Sequence, residues 1–227
     1  MNNHLPVETR HKWRPLFNSR LHGESFSKVS AAIVHKGPTL LVVTEKVSSS
    51  VNPSLSSQIT LSWVYTQRMG TAVKLIRCML FHSIVCGISM ATKNHNVHIF
   101  FQNGFKFGGF ASESWRVGPK FYGPDSCFLF SLGPKMYTYE TTRFNANYQY
   151  MNIKQKTMPN GIGMGGQLDF FGLWLDSEYG HGRCAPSCSS YASPQLSKEE
   201  CFQYTHLEVW GVGEEPVLGK LELILVK

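Results

Sequence analysis

Residues 158–176 read MPNGIGMGGQLDFFGLWLD, a glycine-dense half followed by an apolar and aromatic half. Glycine lets the backbone adopt positive φ and approach other groups closely, so this composition predicts a tight loop over 158–167. The second half, 168–175, is short, apolar and bounded by Gly and Asp, which predicts a buried strand. The rest of the chain is expected to be organised around this loop and strand.

The order of the two halves argues against a nucleotide site. A phosphate cradle needs a strand, then a glycine loop, then a helix. Here the glycine loop precedes the strand, and no Lys-Ser or Lys-Thr pair follows the glycines. A loop whose glycines shape the backbone is the better interpretation.

Composition favours a β-rich domain packed with aromatic residues. Phe, Tyr and Trp make up 13% of the 227 residues, whereas charged residues make up only 16%. This balance is more typical of packed sheets than of a helical bundle. The chain is also long enough to bury one full hydrophobic core.

Charge and targeting patterns exclude several classes of protein. The net charge of +7 comes from basic residues spread thinly through the first half of the chain, whereas nucleic-acid binding needs a focused basic stripe. The sequence contains no apolar run of about 18 residues, so it predicts no transmembrane helix. Asn2 stands where N-myristoylation requires glycine, so this modification is not expected. Six cysteines without a signal peptide predict reduced thiols in the cytoplasm.

The N-terminal part predicts one helix and one strand. Residues 21–37 place apolar side chains at helical spacing, with Ser25 or Ser27 as the cap and Gly37 as the end. The β-branched run TLLVV at 39–43 then predicts a core strand.

Residues 47–102 interrupt this pattern. They contain no Asp or Glu, open on a serine-rich stretch and include the apolar run 78–91, which is too short to cross a bilayer. Joining 46 to 103 would leave two apolar strands linked through Asn103-Gly104, a strong hairpin signal. We therefore predict an insertion into a β-hairpin, with a functional lid or membrane element as the alternative.

The remaining chain predicts short antiparallel strands. They are expected at 105–112, at 126–132 and 136–141 as a hairpin, at 148–153 and at 205–212. Ser197 to Glu200 form a capping box that predicts a short helix. The predicted fold is mainly β with flanking helices (α+β), in which two antiparallel sheets form a sandwich.

Several motifs together resemble the TLDc domain family. They are WRPLFNSRLHGESFSKV (13–29), GPTLLVV (37–43), FGGFAS (107–112), FYGPDSCFLFSL (121–132), MPNGIGMGGQ (158–167), FGLWLD (171–176), SSYASPQLSKEECF (189–202) and EVWGVG (208–213). The resemblance assigns residues 9–213 to a TLDc domain. Within the family it is greatest to members associated with mTOR signalling at lysosomes. The tail, 214–227, diverges from the family's longer C-terminal extension.

The resemblance implies a β-sandwich interaction domain with no established catalytic residues and no cofactor. It implies protein partners, either subunits of the vacuolar proton pump or components of the mTOR pathway, at the cytoplasmic face of the lysosomal membrane. Family members are also linked to protection against oxidative stress. We therefore expect an adaptor, with thiol-dependent antioxidant protection as the alternative.

Two loops, 158–167 and 178–190, are the predicted partner-binding surfaces, because loops on a rigid scaffold commonly carry function. The candidate residues share a glycine, amide or basic character without an evident core role: Asn160, Gly161, Gly163, Gly165, Gly166, His181 and Arg183. Cys184 and Cys188 are the candidate redox thiols, since neighbouring basic residues can lower a thiol pKa. Their spacing with His181 and Cys201 fits zinc poorly, so no metal is predicted.

Overall fold

A computed structural model of the chain describes residues 13–46, 92–93, 96–97, 105–167 and 170–216. These residues belong to two units, and the larger consists of His11–Lys46 and Phe105–Lys227. The smaller consists of Met1–Arg10 and Val47–Gly104. Within it the structure describes one strand pair, β3 (Thr92–Lys93) with β4 (Asn96–Val97).

The larger unit consists mostly of strands. Its strands are β1 (Trp13–Asn18), β2 (Thr39–Glu45), β5 (Lys106–Ala111), β6 (Gly118–Tyr122), β7 (Phe128–Gly133), β8 (Tyr137–Glu140), β9 (Gln149–Asn152), β10 (Gly161–Gln167), β11 (Phe170–Asp176), β12 (His181–Arg183), β13 (Ser187–Cys188), β14 (Ser193–Pro194) and β15 (Cys201–Val212). Its two described helices are α1 (Ser19–His22) and α2 (Phe26–Ile33).

The predicted N-terminal helix is confirmed, although it is shorter than the pattern suggested. Ser25 occupies the N-cap position of α2, but its side chain makes no cap hydrogen bond to the helix. The helix buries Phe26, Val29 and Ile33 against the core. Upstream, the side chain of Asn18 caps α1 by accepting a hydrogen bond from the Arg20 backbone. Gly23, with φ of 82°, separates the two helices, a conformation that glycine adopts without strain.

Two antiparallel layers share one long strand. The first layer has the order β1-β15-β2-β5-β7-β8, and the second has the order β6-β9-β10-β11-β12-β15. The first residues of β15, Cys201 to Gln203, pair with β12, and the later ones pair with β2 and β1. The ladder of hydrogen bonds therefore passes from one layer to the other through β15.

The two layers face each other across the core. Gly109 of β5 lies against the Met164 side chain of β10, and Gly172 of β11 lies between Leu129 and Cys188. The rings of Phe107 and Phe202 meet edge to face at 5.1 Å. The predicted fold class, mainly β with flanking helices and two antiparallel sheets, is confirmed.

The strands on either side of 47–102 are direct neighbours. β2 pairs with β5 from Thr39↔Ala111 to Thr44↔Lys106, and the Glu45 amide donates to the Phe105 carbonyl at 3.0 Å. Apart from the β3–β4 pair, 47–102 lies outside the described residues, as does the tail from 217 onward. The insertion therefore stays a prediction, and the two strands that it would separate are paired antiparallel.

Two local predictions are wrong. Residues 161–167 form strand β10 instead of a loop, because β9 and β11 pair with it on both sides. Residues 197–200 form a bend instead of a helix. There the Lys198 amide donates to the Glu45 carboxylate at 3.0 Å, and the Ser197 hydroxyl donates to the Glu199 carbonyl at 2.6 Å. These contacts replace the first hydrogen bonds of a helix.

Candidate functional site

Two glycines of β10, Gly161 and Gly163, lie against an aromatic stack. Gly163 pairs with Trp174, and a Cβ atom at Gly163 would lie 2.5 Å from the Phe171 ring and 3.1 Å from Trp174. Phe171 and Trp174 stack at 4.5 Å with an interplanar angle of 25°. Close packing of these rings on the strand therefore requires glycine.

The other candidate glycines also sit where side chains do not fit. A Cβ at Gly165 would be 2.5 Å from Tyr191 and 2.6 Å from the Cys188 thiol. A Cβ at Gly161 would meet the Leu175 carbonyl, and one at Gly166 would meet the Phe170 carbonyl. All four glycines are buried. Their predicted role in partner binding stays a prediction, whereas the packing role is visible.

Asn160 closes the loop that leads into β10. Its side chain accepts from the Gln155 amide and donates to the Gln155 carbonyl, both at 2.8 Å. The Tyr150 hydroxyl holds the same loop by donating to the Pro159 carbonyl at 2.9 Å. Of the predicted 158–167 surface, residues 158–160 are half-buried and Gln167 is exposed.

The structure places Arg183 next to Trp174 in the sheet and His181 at the start of the same strand, β12. Trp174 pairs with Gly163 on one side and with Arg183 on the other, so these three residues form one row across the sheet. Arg183 is half-buried, and His181 is exposed with its Nε2 3.3 Å from the Gln203 amide nitrogen. Within the predicted 178–190 surface the exposed residues are Glu178, His181, Pro186, Ser187 and Ser189.

The predicted reactive thiols are buried. Cys184 and Cys188 are 0% and 2% exposed. Burial raises the pKa of the Cys184 thiol to about 12, and it also raises the pKa of Cys188. The prediction that basic neighbours lower the Cys184 pKa is therefore wrong, because desolvation penalises the thiolate. Cys201, in contrast, is exposed.

Among the described residues, no three His, Cys, Asp or Glu side chains lie close enough to hold a metal ion. None of the helices described is long and apolar enough to span a bilayer.

A buried polar network that the sequence did not reveal joins α1 to β15. The Ser19 hydroxyl lies 2.6 Å from His206 Nδ1, and His206 Nε2 lies 2.8 Å from Glu208 Oε1. Trp210 Nε1 donates to the second carboxylate oxygen of Glu208 at 3.1 Å. His206 and Glu208 alternate along a strand and so share a face, but Ser19 is 187 residues away from His206.

A hydroxyl, an imidazole and a carboxylate in this order also occur in nucleophile relays. Here Ser19 is only 4% exposed, and its hydroxyl also accepts a hydrogen bond from the Leu207 amide at 3.3 Å. The hydroxyl thus makes two contacts inside the protein and faces little solvent. The arrangement satisfies buried polar groups and joins α1 to the shared strand.

Comparisons with known proteins identify the family of this chain. The model of the TLDc domain matches residues 1–213. The chain is 41% identical over 218 residues to "MTOR-associated protein MEAK7" of Gallus gallus, covering 95% of this chain and 35% of that relative. It is 38% identical over 216 residues to the Homo sapiens protein of the same name, covering 94% and 35%.

A more distant relative is "Oxidation resistance protein 1" of Rattus norvegicus, which is 33% identical over 108 residues, or 48% of this chain and 12% of the relative. The chain spans about a third of the length of the MEAK7 relatives. The matched region includes both layers and the shared strand. The chain belongs to the TLDc domain family.

Proposed function

We propose that this chain is a non-catalytic interaction domain that acts in mTOR signalling. The observation that supports this most is its 36–41% identity, over nearly its whole length, to relatives named as mTOR-associated. The described fold also suits the role. It offers a rigid β scaffold with surface loops, and its buried hydroxyl–imidazole–carboxylate network faces little solvent.

The place of action that we propose is the cytoplasmic surface of the lysosome. The partners would be components of the mTOR pathway, subunits of the vacuolar proton pump, or both. Peripheral attachment through a protein complex fits a domain whose described helices do not span a bilayer. Because the chain spans about a third of its relatives, these partners are proposed for the domain itself.

A binding experiment tests this proposal. Purified mTOR complex and purified vacuolar proton pump are immobilised separately, and retention of the purified full chain is measured on each. The control is Trp115→Ala, which removes a fully buried ring whose Nε1 donates to Thr39 at 2.7 Å, a change that costs about 3–5 kcal/mol. Specific retention on either complex supports the proposal. Equal retention of chain and control on both would refute it.

A second candidate function is protection against oxidants, favoured by the relative named "Oxidation resistance protein 1". The thiol-dependent form of this idea predicts that the purified chain consumes peroxide and that Cys184→Ser/Cys188→Ser abolishes consumption. The burial and raised pKa of both thiols argue against it. We expect equal, negligible consumption by both proteins. Loss of a measurable activity in the double variant would instead establish the thiol mechanism.

A further inference from the structure

One surface loop presents a phenylalanine almost completely to solvent. Phe144, in the loop 141–148 between β8 and β9, is 84% exposed, and Phe170 at the start of β11 is 65% exposed. Single exposed apolar residues are common and need no explanation. Phe144 differs because hydrogen bonds hold its loop firmly in place.

The backbone before Phe144 is fixed by the neighbouring 189–190 turn. The Thr142 amide donates to the Ser190 carbonyl at 2.8 Å, and the Thr142 hydroxyl donates to the Ser189 carbonyl at 2.6 Å. The Phe144 amide donates to that same hydroxyl at 3.2 Å. Arg143 between them adopts a φ of 61°, a conformation uncommon outside glycine.

The backbone after Phe144 is tied to the strand end that carries Phe170. Asn147 donates to the Gly166 carbonyl at 2.7 Å, and the Gly166 amide donates to the Ser190 hydroxyl at 2.8 Å. Gly166 pairs with Phe171, directly next to Phe170. The two exposed rings therefore belong to one hydrogen-bonded group of loops, which we call the 144 knob: residues 142–147, 189–190, 166–167 and Phe170.

Among the described residues that make up the 144 knob, Arg143 carries the one charge, and the others at its rim are polar and neutral. The Arg143 guanidinium pairs with the Asp125 carboxylate at 2.8 Å. Asn145 and Ser189, whose side chains bond at 3.1 Å, are uncharged. Peripheral attachment to anionic membranes relies on lysine and arginine around the apolar residues. A neutral, preorganised aromatic projection with an amide and hydroxyl rim matches a protein pocket better.

We propose that Phe144 inserts into an apolar pocket on a protein partner, with the rest of the 144 knob forming the rim of the contact. This inference rests on the proposed function, an interaction domain, and names the surface that it uses. Because the loop is already ordered, binding loses little conformational entropy there. The partner pocket should be apolar at its base, with neutral hydrogen-bonding groups around it.

Site-specific photocrosslinking tests the inference. Phe144→p-benzoylphenylalanine is introduced into the full chain in intact cells and irradiated, and the matched control is Leu21→p-benzoylphenylalanine at an equally exposed position on α1 (Leu21 is 79% exposed). The expected result is a discrete protein adduct at 144 that is absent at 21, with the crosslink mapping to an apolar surface of the adduct protein. Only lipid adducts, or the same adducts at both positions, would overturn it.

Affinity measurements on the purified adduct protein complete the test. We expect Phe144→Ala to weaken binding at least about tenfold, whereas Leu21→Ala leaves it unchanged. Both variants should keep the wild-type thermal midpoint because both side chains are exposed. Unchanged affinity in Phe144→Ala would overturn the inference. An adduct protein from outside the mTOR pathway and the proton pump would retain the docking surface and refute the proposed partners.

Discussion

Gly163 lies directly opposite Trp174 in the β10–β11 ladder, and the missing side chain of the one makes room for the ring of the other. Phe171 stacks on Trp174 over the same glycine. Gly163 thus allows the Phe171 and Trp174 rings to pack closely against strand β10.

Gly163→Ala should destabilise the fold. The added methyl group would meet the Phe171 ring at 2.5 Å, and overpacking of this kind costs about 1–3 kcal/mol. Gly118→Ala is the matched control, because a Cβ there meets nothing within 4 Å. Urea unfolding of the two variants measures the difference. Equal midpoints for both variants would contradict the packing role.

Removal of 47–102 should raise the stability of the larger unit. The Glu45 and Phe105 backbones already face each other at hydrogen-bond distance, so Lys46, Asn103 and Gly104 would form a three-residue hairpin loop with glycine at its last position. The shorter connection also lowers the entropy cost of closing the hairpin. Thermal unfolding of both chains measures the change. An unchanged or lower midpoint in the shortened chain would count against the insertion.

Alkylation should distinguish Cys201 from the three buried thiols. Cys201 is exposed, whereas Cys127, Cys184 and Cys188 are buried. The Cys78→Ser/Cys86→Ser variant contains only these four thiols. We expect iodoacetamide to modify Cys201 at least about tenfold faster in the native protein, and all four equally in urea. Mass spectrometry of timed samples gives the rates. Fast native labelling of Cys184 would revive its role as a reactive thiol.

Ser19→Ala should destabilise the chain by about 1–3 kcal/mol, because it leaves His206 Nδ1 and the Leu207 amide without their partner. Ser27→Ala, at an exposed position on α2, is the control and should change stability by less than about 0.5 kcal/mol. A fluorophosphonate probe should not label Ser19 in the native protein. Labelling that disappears in both Ser19→Ala and His206→Gln would show a nucleophile instead.

The contribution of Glu45 to the free energy of unfolding should decrease as the pH rises above 4.5. Burial raises the pKa of this carboxyl above its ordinary value of 4.5, and the Lys198 amide only partly offsets the effect. The folded state therefore holds the proton more tightly than the unfolded state does, and that stabilising contribution is lost as the pH rises through the folded pKa. Glu45→Gln, which stays neutral, should gain stability relative to wild type as the pH rises from 4.5 through the raised pKa of the folded state. A constant difference across that range would contradict this prediction.

The strands and the helix were predictable because their patterns are local. The apolar run before Glu45 and the cap at Ser25 lie within the segments that they define. The predicted loop over the β10 glycines is wrong because glycine is common both in bends and at close approaches. The pairing of β10 with β9 and β11, and the rings packed on Gly163, distinguish the two uses, and both depend on residues outside β10.

The remaining features depend on residues far apart in the chain. Glu45, 153 residues from Lys198, accepts the amide hydrogen bond that replaces a helix start there. Ser19 and His206 are likewise brought together only by the fold. The thiol pKa was misjudged for the same reason, since the neighbours of Cys184 in sequence do not determine its burial.

The twelve residues of strand β15 belong to both layers: β15 is the edge strand of one layer and an interior strand of the other. If either layer unfolded alone, β15 would lose the backbone hydrogen bonds that it makes in that layer. The larger unit should therefore lose its structure in one all-or-none transition, with equal calorimetric and van't Hoff enthalpies. Any substitution that frays β15 near Tyr204, where its pairing passes between the layers, would weaken both halves of the sandwich at once.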